Sequence, residues 1–467
     1  MVHVDFAVVL GLAVAAKAFF ALYEWLTTSS GLKRSLALPR PKGTLPIVGN
    51  TLQTAQHFHR IHDWFLEQSE LHGGNSFYLS LIGAQHLLVV AKPKFFEDIN
   101  KIHLERFDKG PLYADLMRDV LGEGIFAVDG DKWRQQRKTV SNLTVSVHDN
   151  LVLFRKLLQR AAKSHERVNL VKYFFRFSTE TFVNFGLGAK IGVLDANEDH
   201  PFQVAFDKVK RDIVSLFIES FNHNNPDETF EPAVLRDIIV NILVAGRDST
   251  AVTMNWFFYL LSEHPHVEAK LIEELLEHAP ELMRGDVDAL GSEDLQKLVY
   301  LEAALREITW LFPAIPINIK TDSKNVVLHN GTFVGAGWGI VYASYTMGRM
   351  TSVWGPDALE FKPERWINPS TGKLITFSPY KFTPFHSGPR VCLGMTMAIM
   401  KMRIVIASLL SQFRVRVVPE QRVTYDFALI LQMKDPLLVT VEPAAHRLAP
   451  AANTIAPAAT ECVIRIR

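Results

Sequence analysis

Of the two cysteines in this 467-residue chain, Cys392 stands where a thiol can do chemistry. It lies in Phe385-His386-Ser387-Gly388-Pro389-Arg390-Val391-Cys392-Leu393-Gly394, and an apolar run of helical period follows at once. Glycines at 388 and 394 allow a tight turn, so that a cysteine at the start of a helix points its sulfur outward. A helix start favours negative charge and a bound metal strips the proton from a thiol, so the spacing suits Cys392 to a thiolate–metal bond. Arg390, two residues earlier, is placed to pair with a carboxylate on the same ligand. The plain alternative is a small buried hydrophobe where a helix begins.

A second group is Leu243-Val244-Ala245-Gly246-Arg247-Asp248-Ser249-Thr250, in the middle of a long apolar run. An acid, two hydroxyls and a glycine inside a helix disfavour it locally and call for a reason. One reason is a polar patch meeting another helix. The other is chemical: the glycine opens room for a small ligand while Asp248, Ser249 and Thr250 pass protons to it. A third group pairs Trp133 with Arg137 on one helix face. Taken alone it reads as a solvated basic helix, and Lys132, Arg134 and Lys138 with Lys401 and Arg403 form a basic set able to dock an acidic redox partner.

These groups need elements to carry them. Apolar residues at helical spacing predict helices over residues 151–162, 235–261 and 266–277, the second bearing the Asp248 group. Two β-rich runs around Gly83, between 76 and 90, predict a hairpin, and strand-like pieces return at 325–341 and 413–441. Pro39, Pro41 and Pro46 exclude helix from residues 38–50 and predict a stiff extended link. Residues 6–26 are apolar except for Lys17 and Glu24, about the 20 residues that cross a bilayer. Lys33, Arg34, Arg40 and Lys42 follow, which keeps the bulk of the chain on the cytoplasmic side. Because Lys17 is costly at mid-span, a shallow interfacial helix is the alternative. Asp5 and the lack of Lys or Arg before the run argue against a cleaved signal peptide. The expected organisation is therefore an anchor and flank at 1–37, a link at 38–50, a body at 51–442 and a loose Ala/Pro-rich tail at 443–467.

Composition sets the outer limits. The chain is 48% hydrophobic and 21% charged, enough for a large packed core. Fifty Lys and Arg against 49 Asp and Glu leave a net charge of +1, which gives no electrostatic ground for nucleic acid as a partner. Two cysteines exclude a disulfide framework and an all-cysteine metal site, and point to a reducing compartment.

The cysteine loop fills every defined position of Phe-x-x-Gly-x-Arg-x-Cys-x-Gly and so resembles the haem-binding loop of the cytochrome P-450 superfamily. Ala245 to Thr250 is similar to the oxygen-activation stretch of that family's central helix, with Ser249 where threonine is usual. Phe361-Lys362-Pro363-Glu364-Arg365-Trp366 resembles its Pro-Glu-Arg segment. The resemblance implies a mainly α fold with small β-sheets and a haem b whose iron is bound by Cys392. It places Trp133, Arg137, Ala245, Phe385, Gly388, Arg390 and Gly394 around the haem and gives the proton steps to Asp248, Ser249 and Thr250. It implies that the enzyme inserts one oxygen atom from O2 into a C–H bond of an apolar substrate, with electrons from NADPH through a flavoprotein reductase, at the endoplasmic reticulum membrane with its catalytic domain cytoplasmic. Carried over by position, Phe126, Ala314, Ile315, Leu429 and Ile430 line the substrate pocket with Ala245. Residues 122–137, Met347-Gly348-Arg349-Met350 and Trp354-Gly355-Pro356-Asp357-Ala358 look most like the group that hydroxylates fatty acids at or near the chain end.

Two departures stand out. Where the family has Glu-x-x-Arg, this chain has Glu307-Ile308-Thr309-Trp310, so a buried cluster loses an arginine and Glu307 is left to pair with Arg365 alone. Losing one partner of a buried charge typically costs about 3–5 kcal/mol. Glu302 and Arg306 are out of register to substitute. Between Trp133 and Ser249 the chain is also too short for the helices that roof the family's pocket, with residues 202–207 running almost directly into 208–215. A true gap leaves the pocket open to water; a shortened gene model means a longer natural enzyme. The rival readings are a degenerate haem-binding protein without turnover, and a membrane-tethered interaction module with no haem.

Overall fold

A computed structural model describes residues 38–45, 48–82, 86–110, 113–114, 117, 121–140, 144–145, 148–187, 191–194, 232–444 and 464–465. The expected anchor at 6–26, Gly83, the shortened stretch at 202–215 and most of the tail lie outside these residues. Among the described residues no helix is long and apolar enough to cross a membrane.

The chain divides into two compact units. The first comprises the residues up to Tyr113, Ile317–Ala358 and Ser387–Arg390. Its sheet has five strands in the order Phe77–Leu79, Leu87–Val90, Gly339–Ala343, Ile317–Asp322, Phe107–Asp108. Phe77–Leu79 pairs antiparallel with Leu87–Val90, as the hairpin pattern predicts. Leu87–Val90 runs parallel to Gly339–Ala343, whose five residues are all buried, the pattern of a strand covered on both faces. The strand Ile317–Asp322 lies ahead of the predicted 325–341 run, and its alternation of Ile317 and Ile319 with Asn318 and Lys320 is the signal that the prediction passed over. The proline link is not a straight spacer. It doubles back, with paired hydrogen bonds between Leu45 and Gly49, and lays the Pro39 carbonyl on the Tyr78 amide at 2.9 Å.

The second unit comprises Ala114–Pro316, Leu359–His386 and Val391 onward. The predicted helices form as His148–Ser164, Pro232–Glu263 and Pro265–His278. Pro265 occupies the first turn of its helix, where its missing N–H costs nothing and its fixed φ suits the start. The central helix Pro232–Glu263 packs on Leu170–Leu187 through stacked rings, Phe174 on Phe258 at 5.5 Å, while Phe154 stacks on Phe177 at 5.4 Å. These four rings are fully buried, each contributing about 2–3 kcal/mol of apolar burial. Met395–Leu410 begins exposed at Met395 and is buried throughout from Lys401 to Leu410. A small sheet of Phe413–Val417, Leu438–Pro443 and Val168–Asn169 closes the unit. The tail is not loose throughout: Ile464–Arg465 pairs antiparallel with Thr144–Val145.

Candidate active site

The helix Met395–Leu410 has Gly394 as its N-cap, so Cys392 sits just ahead of the first turn. Its amide donates to the Phe385 carbonyl at 2.8 Å, closing the loop. The turn needs left-handed backbone at His386 and Gly388. At Gly388 a Cβ would strike the Asn100 carbonyl within the first unit, so only glycine fits. Gly394 is not left-handed, contrary to the expectation that both glycines bend the loop. Its part is played by its amide, which hydrogen-bonds the Cys392 sulfur and favours the thiolate.

Burial nevertheless pushes the Cys392 thiol up, outweighing the Gly394 amide and Arg137. A helix start alone therefore does not make this cysteine a thiolate; a bound cation must. The side chain is exposed by surface area although burial is its dominant influence. Both hold for a sulfur that lies deep among protein atoms and faces open space. That is a fitting donor for a buried prosthetic metal.

Arg137 lies on the helix Gly130–Val140, its Nη1 donating to the Val391 carbonyl at 2.8 Å and its guanidinium 5.7 Å from the Trp133 ring. The predicted shared face forms, and it lies against the cysteine loop. Gly388 and Arg390 belong to the first unit, where Arg390 acts electrostatically on the half-buried Tyr113 hydroxyl. The proposed basic docking set breaks up: Lys132 and Arg134 are exposed and paired with Glu123 and Asp131, but Lys401 and Arg403 are buried.

On the central helix, residues 244–249 are all half-exposed, whereas 250–258 are buried. The polar stretch thus borders open space. The Asp248 carboxyl is raised above its ordinary range by burial, with Arg247 opposing at 3.2 Å. Arg247 is itself held by Thr179 Oγ1 at 2.8 Å and by the Phe175 ring, and Asp248 Oδ1 accepts no hydrogen bond among the described residues. Ser249 donates to the Ala245 carbonyl at 2.6 Å, so its hydroxyl hydrogen is committed to its own helix, while Thr250 is buried. Contrary to the expectation that Gly246 opens room for a small ligand, a Cβ there would fall inside the Phe182 ring, and the glycine admits that ring.

The apolar wall residues all lie in the second unit. Phe126 and Leu429 are 37% and 42% exposed, and Ala314, Ile315 and Ile430 are half-buried. Asn241, which sequence reasoning passed over, holds the Phe126 loop by accepting from the Phe126 amide at 3.2 Å and donating to the Leu121 carbonyl at 2.7 Å. A buried amide on the same helix face as Ala245, four residues on, was its signal.

The altered charge cluster is satisfied. Glu307, 0% exposed, accepts from the Lys362 amide at 2.8 Å, Arg365 Nε at 2.9 Å and Trp366 Nε1 at 2.6 Å. Trp310 places its ring 5.2 Å from the Arg365 guanidinium, replacing an ionic contact by a cation–π one. Glu302 does not substitute for Glu307; it binds Arg306 at 2.6 Å and Arg403 at 2.8 Å in a separate cluster. Burial still drives the Glu307 pKa up to about 7, against Arg365 and its other donors. A folded-state pKa above the ordinary value of 4.5 means that stability present below that value is lost as pH rises through about 7, by about 3 kcal/mol in all. Urea unfolding from pH 4.5 to 7.5 should show this loss in the wild type and a flatter profile in Glu307→Gln. Equal slopes for the two proteins would rule the account out.

A single soft sulfur donor facing open space, arginines for carboxylates and apolar walls form a set that suits an iron porphyrin. The fold is shared with a crystal structure of a cytochrome P450, CYP102L1, at a TM-score of 0.70 and 22% identity, covering 87% of this chain and 99% of that one. Fold and site together define a mainly helical protein with one thiol donor placed for a haem. The family model described as Cytochrome P450 matches residues 39–211 and 197–441, and the chain belongs to the cytochrome P450 family. Among its relatives, cytochrome P450 704C1 of Pinus taeda is 32% identical over 489 residues, covering 86% of this chain and 93% of the relative. The alkane hydroxylase MAH1 of Arabidopsis thaliana is 30% identical, covering 82% of this chain and 89% of that protein. Membership implies a haem cofactor, O2 and an apolar small-molecule substrate.

Proposed function

We propose that this monooxygenase hydroxylates a fatty acid or related long-chain substrate near its chain end, with Cys392 as the proximal ligand of its haem. The observation that carries the reading is the Cys392 sulfur, deep in the fold yet facing open space at a helix start with the Gly394 amide directed at it. When bound, the haem supplies the iron at which O2 is activated for insertion into a C–H bond. Trp133, Arg137 and Arg390 would hold its carboxylates, and Phe385, Gly388, Gly394 and Ala245 would border the ring.

The remaining steps fall to the chain. Asp248, its carboxyl raised by burial, holds a proton more readily than a surface acid, and Arg247 stands beside its Oδ1 at 3.2 Å. Thr250 and Ser249 lie beside it on the helix. Phe126, Ala314, Ile315, Leu429 and Ile430 form an apolar wall that orients the substrate and excludes water. The alkane hydroxylase among the relatives supports an aliphatic substrate.

Electrons come from NADPH through a flavoprotein reductase, and residues 6–26 hold the protein at the endoplasmic reticulum membrane with its body in the cytoplasm. The basic residues after that run support this orientation. We propose further that the pocket roof is shortened between Trp133 and Ser249; in support, the alignment with the Pinus protein spans 489 positions while only 86% of 467 residues take part, so that relative carries segments without a counterpart here. The family match, split in two pieces that meet at 197–211, supports the same reading.

Reconstitution with a reductase and dodecanoate tests the function. Terminal or near-terminal hydroxydodecanoate formed in step with NADPH consumption is expected, and NADPH consumption without product would refute it. Asp248→Asn should lower turnover about 100-fold with little change in KM. Unchanged turnover would remove Asp248 from the proton path.

A further inference from the structure

Trp256 lies on the central helix beyond Thr250 and is only 3% exposed. Its indole Nε1 donates to the Leu431 carbonyl at 2.7 Å, and its ring stacks on Phe312 at 4.2 Å and 19°. The Leu431 amide donates in turn to the Ala314 carbonyl at 2.9 Å. Both backbone groups of Leu431 are therefore used outside its own hairpin.

Closer to its base the hairpin holds itself together. Asp426 N–H donates to Gln432 O at 3.0 Å, Lys434 N–H to Thr424 O at 2.9 Å, and Tyr425 bridges Met433. At the tip, Leu429 and Ile430 are partly exposed, while Leu431 is fully buried as their anchor. One indole thus joins three elements: the central helix, the segment bearing Ala314 and Ile315, and the tip bearing Leu429 and Ile430.

We infer that Trp256 is a positioning residue that fixes these two pairs as one rigid wall and thereby sets which carbon of an apolar chain is oxidised. The inference rests on the reading of Ala314, Ile315, Leu429 and Ile430 as substrate wall. A buried carbonyl stripped of its donor loses its reason to stay in place, so the tip moves when the indole N–H is removed. Aromatic stacking supplies the second restraint, on the Phe312 side.

Two variants separate the restraints. Trp256→Phe keeps a ring over Phe312 and removes the N–H; Phe312→Leu removes the stack and keeps the N–H. In the haem-loaded enzyme, Trp256→Phe should lower the ratio of the major hydroxydodecanoate isomer to its neighbours about fivefold, the worth of one neutral buried hydrogen bond. Amide exchange over residues 424–434 should rise by a similar factor, and the protection given there by bound dodecanoate should fall. Phe312→Leu should shift the same readings less. A variant that is merely less stable, with isomer ratio and exchange unchanged, overturns the inference. If the wild type makes no hydroxydodecanoate at all, the functional reading fails, and exchange with and without dodecanoate still decides for or against Trp256.

Discussion

Cys392→Ala is expected to abolish turnover and, with it, the carbon monoxide band of reduced thiolate-bound haem, while leaving the fold intact. The sulfur faces open space, so trimming it to a methyl group removes little packing, and unfolding of the apo-protein should shift by less than about 1 kcal/mol. The effect on iron is of another order, because alanine supplies no donor and the remaining groups around the loop, Arg137 and the Gly394 amide, are themselves donors that cannot bind a cation. The only other cysteine, Cys462, provides the control: Cys462→Ala should keep the spectrum and the activity. Cys392→His, with an imidazole in place of the thiolate, should recover some haem without the thiolate band. A thiolate spectrum that survives Cys392→Ala, or vanishes in Cys462→Ala, would place the ligand elsewhere.

The parts of the site legible in the sequence are those whose information is local. A glycine forced left-handed at 388, a cysteine just ahead of an apolar helix and the 3.6-residue rhythm of 235–261 all depend on neighbours in the chain. What escaped notice depends on partners far away in sequence. Gly246 carries the same letter whether it makes room for a ligand or for Phe182; only the packing of Leu170–Leu187 on the central helix tells them apart. Trp310 looked like damage because the compensating donor, Trp366 Nε1, comes from a turn that meets Glu307 only in the folded chain. Asn241 and Trp256 are polar tips on an apolar helix; spacing puts Asn241 on the Ala245 face, but the partners they hold, Leu121 and Leu431, lie far away in sequence. The Lys401 and Arg403 pair read as surface because lysine and arginine are so rarely buried. Arg403 is buried with partners, Glu302 and the carbonyls of Leu295 and Leu298.

Lys401 is buried differently, and replacing it should stabilise the protein. Its side chain is 0% exposed and its Nζ has no hydrogen-bond partner among the described residues, only the faces of Phe177 at 5.3 Å and Phe182 at 4.9 Å. Two rings offset part of the loss of hydration, but burial still carries the pKa down from 10.5 to about 7. The folded state therefore binds fewer protons than the unfolded chain between about pH 7 and 10.5, so this residue's contribution rises with pH across that window and is most unfavourable below it. The full span amounts to about 5 kcal/mol. Methionine keeps the length and apolar stem, satisfies Phe177 and Phe182 with a thioether, and has no charge to desolvate. Lys401→Met should gain about 3 kcal/mol at pH 7, and its advantage should shrink steadily as the pH approaches 10.5. Urea unfolding of both proteins at pH 7 and pH 9.5 measures this. A variant that is no more stable at pH 7, or an advantage that does not change with pH, would mean that the amine is solvated or paired in solution. Because Phe182 fills the space at Gly246, the same variant also tests whether the charge strains the central helix: if it does, the backbone amides around Asp248 should exchange more slowly once the charge is gone.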